Sequence, residues 1–408
     1  MPGLLLLRAG ALILFFASSA ALTQTSPWAV LWTTPCILIA SVMITWGAES
    51  AQFFVAQGFA LAMLAWMQTL PEFAVEAVLA WKGQQQLLMA NLTGALRLLT
   101  GLAWPLIYLT AAGVHRRATG TRMRSIQLDR HHSVEVVGLV FPMLYAFFIG
   151  WKSKLEIFDA GVLIALYVAY LALLSKLPPQ EHEGFEDLDS IPRKIVLARP
   201  IRRNLAITAC FLIGGAMVFT VAEPFLGSLV AVALAAGIPT FVIIQWLAPI
   251  ISEFPELLST FYFARQRDKA AVGLMNIASS NINQWTLLVA MLPIVLSLGT
   301  AHASVLVFDS QQRVEWFLTL GQSTVGLLFL VNMEFAWWEA GLMFLLFATQ
   351  FLKPGENGEA LKVWITGAFF TWSAFEVIRL LLRRRRPEAL VSFSETWRSH
   401  IRAKSPTR

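Results

Sequence analysis

Long apolar segments recur along the chain, and each is long enough to cross a lipid bilayer as a helix. A helix needs about 20 mostly apolar residues to span a hydrocarbon layer of roughly 30 Å, and about twelve segments meet this requirement. Charged residues form only 14% of the chain and cluster in short stretches between these segments. The sequence therefore predicts an all-α integral membrane protein with about twelve transmembrane helices.

The first of these segments has a second interpretation. It carries Arg8 near its start and ends in the small residues Ser18 to Ala21, which is also the layout of a signal peptide. The predicted spans are residues 3–22, 28–47, 53–81, 87–112, 134–151, 156–175, 205–226, 228–263, 270–298, 314–333, 335–352 and 360–382. Residues 1–27 are accordingly either an extra helix or a cleaved leader.

The positions of lysine and arginine predict the orientation of the chain. Cytoplasmic loops of membrane proteins are enriched in these residues, and alternate loops here are basic. The predicted inner clusters are residues 116–130, 176–203, 265–269 and 383–386. We expect a multi-pass protein of a bacterial inner membrane with both termini cytoplasmic. The net charge of +6 then needs no nucleic acid, and the arginine tail is expected to touch anionic membrane lipid.

Two segments, residues 68–96 and 252–282, have the same internal plan. Their sequences are QTLPEFAVEAVLAWKGQQQLLMANLTGAL and SEFPELLSTFYFARQRDKAAVGLMNIASSNI. Each has a Pro-Glu pair in an apolar run, then a basic hairpin tip, then an asparagine in a second apolar run. This pattern is typical of inverted repeats that hold an ion between them.

The two Pro-Glu pairs suggest how a cation would be held. A proline inside a helix removes one backbone hydrogen bond, so Pro71 and Pro255 are expected to free the carbonyl oxygens of Met67 and Ile251. These carbonyls and the carboxylates that follow the prolines are hard oxygen ligands of the kind that Ca²⁺ prefers. The predicted metal ligands are Glu72, Glu256, Met67 and Ile251.

Two further acids lie close to the prolines. Glu76 is one helical turn after Glu72, and Glu253 is three residues before Glu256. Because an acidic residue at the centre of a membrane helix costs about 2.5–3.5 kcal/mol, four of them near two matching prolines favour a functional cluster. The alternative is that some of them are protonated or paired structurally.

With these motifs in view, the chain resembles the sodium/calcium exchanger family of cation antiporters. The resemblance rests on MQTLPE (67–72) with ANLTGAL (90–96), and on ISEFPE (251–256) with MNIASSN (275–281). It implies two inverted five-helix repeats with one extra helix at each end. It also implies oxygen ligands for the cation at Gln68, Thr69, Ser252, Glu253, Asn91, Asn276, Ser280 and Gln284, and the helix face shared with Glu72 adds Glu76.

The resemblance divides the chain into parts. Residues 28–175 are predicted as the first repeat half and residues 205–352 as the second, joined by a cytoplasmic linker at 176–204. Residues 353–408 add a helix and a basic tail. Ala95 and Leu99 depart from the family pattern, because polar groups are expected at these positions.

Arg97 lies on the same helix as the departures. Two residues correspond to roughly 200° of helical rotation, so Arg97 is predicted to point away from the face that carries Ala95 and Leu99. It either substitutes for a bound ion or pairs with a buried acid such as Glu49 or Glu223.

The function implied is secondary active antiport. A cation, Ca²⁺ or a related ion, would exchange for Na⁺ or H⁺ by alternating access, and both coupling ions stay open. The alternative is a membrane sensor or assembly partner that keeps the fold without transporting. No enzyme motif is present, so we expect no catalysis, no cofactor beyond the transiently bound cation, and no nucleotide.

Overall fold

A computed structural model describes most of the chain. The described residues are 26–54, 69–176, 185, 188–266, 269–352, 358–382 and 384–402. The predicted first span, residues 3–22, lies outside them, and so do Met67 and Gln68.

Helices dominate the described residues, as the apolar segments predict. In chain order they are α1 (Val30–Ala51), α2 (Leu70–Trp81), α3 (Gln85–Thr119), α4 (Ser133–Lys152), α5 (Ile157–Leu174), α6 (Ser190–Val196), α7 (Pro200–Ala236), α8 (Thr240–Ser252), α9 (Phe254–Arg265), α10 (Ala270–Thr300), α11 (Ser310–Leu330), α12 (Trp337–Thr349), α13 (Glu359–Leu381) and α14 (Glu388–Thr396). Four short strands accompany them: β1 (Ser125–Gln127), β2 (Lys154–Leu155), β3 (Leu306–Val307) and β4 (Glu334–Ala336).

The helices have the length and surface of membrane spans. Within the described residues, six are long and apolar enough to cross a bilayer, or seven if the bent pair α8 and α9 is one span. Large apolar side chains stand exposed on their outer faces, such as Ile201 at 84% and Phe219 at 77%. Such exposure suits contact with lipid and confirms an all-α membrane protein. The count of twelve spans stays a prediction.

The predicted boundary between residues 226 and 228 is wrong. Helix α7 runs without a break for 37 residues, with Pro224 in its interior. It ends at Gly237, whose φ of 66° is in the left-handed region that favours glycine, and Pro239 follows directly before α8. The chain then bends by 55° between α8 and α9, with Glu253 at the break. The predicted span 228–263 therefore comprises the end of α7 and two further helices.

The chain divides into two compact units. One consists of Met1–Leu79 and Pro179–Pro255, and the other of Ala80–Pro178 and Glu256–Arg408. We call them the small and the large unit. Each contains segments from both predicted repeat halves, and the division into halves stays a prediction.

The core of the small unit lies between α1 and α7. Ala40 and Ile44 of α1 pack against Met217 and Val218 of α7 in a buried apolar cluster. Gly214 permits this close approach, because a Cβ atom there would lie 2.8 Å from a side-chain carbon of Ile44.

The strands of the large unit show its internal symmetry. Helix α4 is flanked by β1 and β2, and helix α11 is flanked by β3 and β4. Strand β1 pairs antiparallel with β4, with Ile126 opposite Phe335, and β2 pairs antiparallel with β3, with Leu155 opposite Leu306. Each strand before one helix thus pairs with the strand after the other, which is the exchange expected of two inverted repeats.

A second symmetric feature lies in α3 and α10. Each helix contains one wide π-type turn, at Leu99–Ala103 in α3 and at Gln284–Leu288 in α10. The wide turns begin at Leu99 and Gln284, each of which lies two helical turns after the asparagine of its motif, Asn91 or Asn276. Such turns are uncommon and often occur at functional sites. The two repeats therefore share a backbone irregularity as well as a sequence pattern.

Candidate cation site

The small unit brings residues of both sequence motifs into contact. Glu72, in the first turn of α2, and Ser252, the last residue of α8, are both fully buried. The Ser252 hydroxyl donates a hydrogen bond to Oε2 of Glu72, although the two residues lie 180 positions apart. The same hydroxyl is 3.1 Å from the carbonyl oxygen of Ala248. A carboxylate of the first motif is therefore held by a hydroxyl of the second.

Two more predicted carboxylates lie in the same unit. Glu76 follows Glu72 by one turn of α2, and Glu253 lies at the break after α8, where its N–H donates to the carbonyl of Pro249 at 2.8 Å. Glu76 and Glu253 are both fully buried, and Thr69 is almost so. Charged carboxylates rarely lie so deep unless something compensates their charge. The unit thus gathers three buried acids with neutral oxygen groups.

The prolines act differently from the prediction. Pro71 and Pro255 are the second residues of α2 and α9, so each lies in the first turn of a helix and not in its interior. A first-turn proline loses no helical hydrogen bond, because that N–H has no partner in a helix anyway. Ile251 lies in the last turn of α8 and is buried. In the second motif the helix therefore ends at Ser252 and a new helix begins after Glu253, so the bend is a break between two helices and not a kink within one.

The large unit contains the rest of the second motif. Glu256 of α9 is 1% exposed, and Ser259 of the same helix lies 3.4 Å from the amide nitrogen of Asn276 on α10. The two helices approach closely at Gly273, where a Cβ atom would be 3.1 Å from the Thr260 carbonyl oxygen. A larger residue there would require the neighbouring backbone to shift by a few tenths of an ångström.

The polar face of α10 extends beyond the residues that the sequence analysis selected. Ser280 and Gln284 are buried there, as predicted. Asn281, which was not selected, is 2% exposed, and neither its amide nitrogen nor its oxygen has a hydrogen-bond partner among the described residues. The signal was present in the sequence, since Asn281 ends the MNIASSN segment. We add it to the candidate cation ligands.

The corresponding face of α3 is mostly apolar. Asn91 is fully buried, and Ala95 and Leu99 on the following turns are buried as well. The sequence indicated that the first repeat has lost polar groups at Ala95 and Leu99. Both positions are buried, so the apolar side chains there pack against the protein interior.

Arg97 of α3 forms a buried ion pair with an acid that the sequence did not suggest. Its partner is Glu315 of α11, 2.6 Å away, and Lys362 of α13 donates to the same carboxylate. All three residues are at most 3% exposed. Pairing with a buried acid was one of the two interpretations of the sequence, but the spacing of these residues along the chain gives no indication of Glu315 as the partner. We call these three residues the buried triad.

Amide side chains extend the buried triad. Arg97 Nη1 donates to Gln350 at 3.0 Å, and Gln350 donates to Gln322 at 3.0 Å. Gln322 in turn donates to the carbonyl oxygen of Arg97 at 2.8 Å and to Thr100 at 2.6 Å. The network joins α3 to α11, α12 and α13, and thus ties the predicted extra C-terminal helix to a helix of the first repeat.

The arginine tail is only partly a surface feature. Arg385 is 7% exposed and pairs with Glu339 and Glu376, each at 2.7 Å. It also donates to the carbonyl of Phe329 at 2.9 Å and to Asn332 at 2.6 Å. Two buried acids therefore compensate the charge of Arg385, and contact of the rest of the arginine tail with lipid stays a prediction.

Comparison with known proteins shows to which protein family the chain belongs. The family model described as sodium/calcium exchanger protein matches residues 7–176 and 206–352. The chain belongs to this family. Its members are transporters and not enzymes, and the chain is a multi-pass membrane protein of the cation-exchanger type.

Solved structures agree with this assignment. The crystal structure of the H⁺/Ca²⁺ exchanger CAX matches with 31% identity and a TM-score of 0.84, covering 97% of this chain and 98% of that one. The sodium-calcium exchanger NCX_Mj matches at 20% identity, with a TM-score of 0.54 and coverage of 80% and 97%. YfkE matches at 16% identity, with a TM-score of 0.57 and coverage of 90% and 99%, and these two show the shared fold alone. No protein with a curated description matches the chain.

Proposed function

We propose that the chain exchanges Ca²⁺ or a related divalent cation for H⁺ by alternating access, in a bacterial inner membrane with both termini cytoplasmic. The observation that carries the proposal is the burial of Glu72, Glu76 and Glu253 in one compact unit, with Ser252 bonded to the first. The likeness to an H⁺/Ca²⁺ exchanger at 31% identity supports the same choice of ions.

In this proposal the acidic residues couple the transport of the divalent cation to that of protons. Neighbouring buried carboxylates disfavour joint ionisation, so they bind either protons or a divalent cation. Cation and protons then compete for the same oxygens, and each site changes sides only after one of them has neutralised it. We therefore assign the cation-binding role first to Glu72 and Glu256, and a proton-binding role to Glu76 and Glu253.

Sodium coupling is less well supported by the side chains. Sodium sites use neutral oxygen ligands as well as carboxylates, and Ala95 and Leu99 on α3 offer none. The remaining proposed ligands are oxygens and amides on the two motifs. They are Thr69, Gln68, Ser252, Asn91, Asn276, Ser280, Gln284 and Asn281, with the carbonyl groups of Met67 and Ile251.

A second candidate function is a non-transporting membrane protein. The buried triad motivates it, because Arg97 brings a fixed positive charge into the helix whose polar face is reduced. Cation-dependent stability separates the two functions, since a ligand that binds only the folded state raises its melting temperature. Stabilisation by Ca²⁺ that Glu72→Gln removes would favour transport.

Uptake of radioactive Ca²⁺ into everted membrane vesicles tests the proposal. We expect a pH gradient to drive uptake, and Glu72→Gln and Glu256→Gln each to abolish it. The control is Glu388→Gln, which makes the same chemical change at an exposed acid of α14 and should leave uptake unchanged. Uptake that requires a sodium gradient, or that survives both substitutions, would reject the proposal.

A further inference from the structure

A group of metal-ligand residues lies far along the chain from either motif, in the turn before α4. Asp129, His131 and His132 each offer one ligand atom, and these atoms all lie within 4.8 Å of one another. The short helical turn Arg130–His132 brings them together, and the two imidazole rings are 4.2 Å apart between centroids. We propose that this group binds a divalent transition-metal ion, in a site separate from the candidate cation ligands.

His132 gives the main structural reason. It is 5% exposed, and neither ring nitrogen has a hydrogen-bond partner among the described residues. Buried imidazoles normally donate and accept hydrogen bonds, because water cannot satisfy them there. A metal ion would satisfy one of these nitrogens directly.

Glu135 is placed to orient the His132 ring. Its Oε1 lies 3.9 Å from Nδ1 of His132, and its other oxygen has no hydrogen-bond partner among the described residues. Histidine ligands of metals commonly donate their second ring N–H to a carboxylate, which fixes the ring. We therefore assign Glu135 as a positioning residue, with the second ring nitrogen of His132 left to face the metal.

The ligand types select the metal. Two imidazole nitrogens and one carboxylate suit Zn²⁺, Co²⁺ or Ni²⁺, whereas Ca²⁺ requires about 6–8 oxygen ligands. Zinc binds nitrogen at about 2.0–2.1 Å. Two such ligands stand at most about twice that distance apart, so only small side-chain rotations would close the site. The ion expected here thus differs from the one proposed for transport.

The surroundings leave the site open on one side. Asp129 is exposed and His131 is partly exposed, so an ion can reach the group from solvent. Helix α14 packs against the same turn, and Arg130 forms an exposed ion pair with Glu395 of α14 at 3.3 Å. A bound ion would therefore stiffen the surface on which the C-terminal helix rests.

Zinc binding to the purified, tag-free, full-length protein tests this inference. The protein is treated with chelator and then titrated with Zn²⁺ against a chromophoric competitor, in excess Ca²⁺. We expect one Zn²⁺ per chain that Ca²⁺ does not displace. His132→Gln should abolish binding, Asp129→Asn should weaken it at least tenfold, and Glu135→Gln should weaken it by about ten- to a hundredfold.

Two controls keep the result interpretable. His115→Gln removes an exposed histidine that bonds to Thr121 and should leave Zn²⁺ affinity unchanged. Asp129 is exposed, so we expect Asp129→Asn to fold like the native chain. Glu72→Gln should also leave Zn²⁺ binding unchanged, which separates this site from the proposed transport function. The inference is overturned if the native chain binds no Zn²⁺, or if Asp129→Asn and His132→Gln bind it as tightly as the native chain.

Discussion

Replacing Glu315 by glutamine should destabilise the large unit more than any other single change in the buried triad. Glu315 is the acid between two cations, since it contacts both Arg97 and Lys362. The substitution keeps the shape of the side chain and removes its charge. It leaves two buried positive charges close together, each without the carboxylate that compensated it.

The size of the effect follows from this geometry. Removing one partner of a buried ion pair costs about 3–5 kcal/mol, because the remaining charge stays buried. Glu315 serves two cations, so we expect a loss at the upper end of this range. At about 2 °C per kcal/mol, a value suited to larger proteins, a loss of about 5 kcal/mol lowers the melting temperature by about 10 °C.

Lys362→Met provides the decisive comparison. It removes one of the two cations and leaves Arg97 paired with Glu315, so it should cost less stability than Glu315→Gln. The double variant should be more stable than Glu315→Gln alone, because it also removes one of the two cations that Glu315 contacts in the native chain. Thermal unfolding of the purified protein in detergent measures all three variants.

Two outcomes would refute this reasoning. A Glu315→Gln variant as stable as the native chain would show that the charge of Glu315 does not stabilise the folded protein. A double variant less stable than Glu315→Gln would show that packing of the Lys362 side chain, and not its charge, supports α13.

Three further changes test other parts of the structure. Gly101→Ala should lower the melting temperature by several degrees, because its Cβ would lie 2.6 Å from Phe347, whereas Gly113→Ala, which meets nothing within 4 Å, should not. Arg385→Met should expose the C-terminal helix to limited proteolysis, because Glu339 and Glu376 lose their shared cation, and Arg386→Met at an exposed position is its control. Glu253→Ser should move the pH optimum of transport, and an unmoved optimum would remove this acid from the proton-binding group.

The sequence predicts the class and the motifs well, because both depend on local patterns. Apolar length identifies membrane helices, and two matching Pro-Glu segments identify the repeats. The contact between Glu72 and Ser252 confirms that residues of the two motifs meet. The family match confirms the resemblance that these segments indicated.

Local sequence patterns do not encode long-range contacts or backbone irregularities. The pairing of Arg97 with Glu315 depends on how α3 packs against α11, which no local pattern encodes. The wide turns after Asn91 and Asn276 change the helical phase of the residues that follow, so a regular 3.6-residue period misplaces them. The burial of Arg385 was missed for a similar reason, since a run of arginines favours a solvated tail.

Simultaneous measurement of Ca²⁺ and H⁺ fluxes tests the central claim most directly. The purified chain is reconstituted into liposomes without sodium, with radioactive Ca²⁺ outside and a pH-sensitive dye inside. We predict that Ca²⁺ entry and H⁺ exit occur together, that each stops when the other ion's gradient opposes it, and that Glu72→Gln abolishes both. Calcium entry without proton movement, or only after sodium is added inside, would contradict the account.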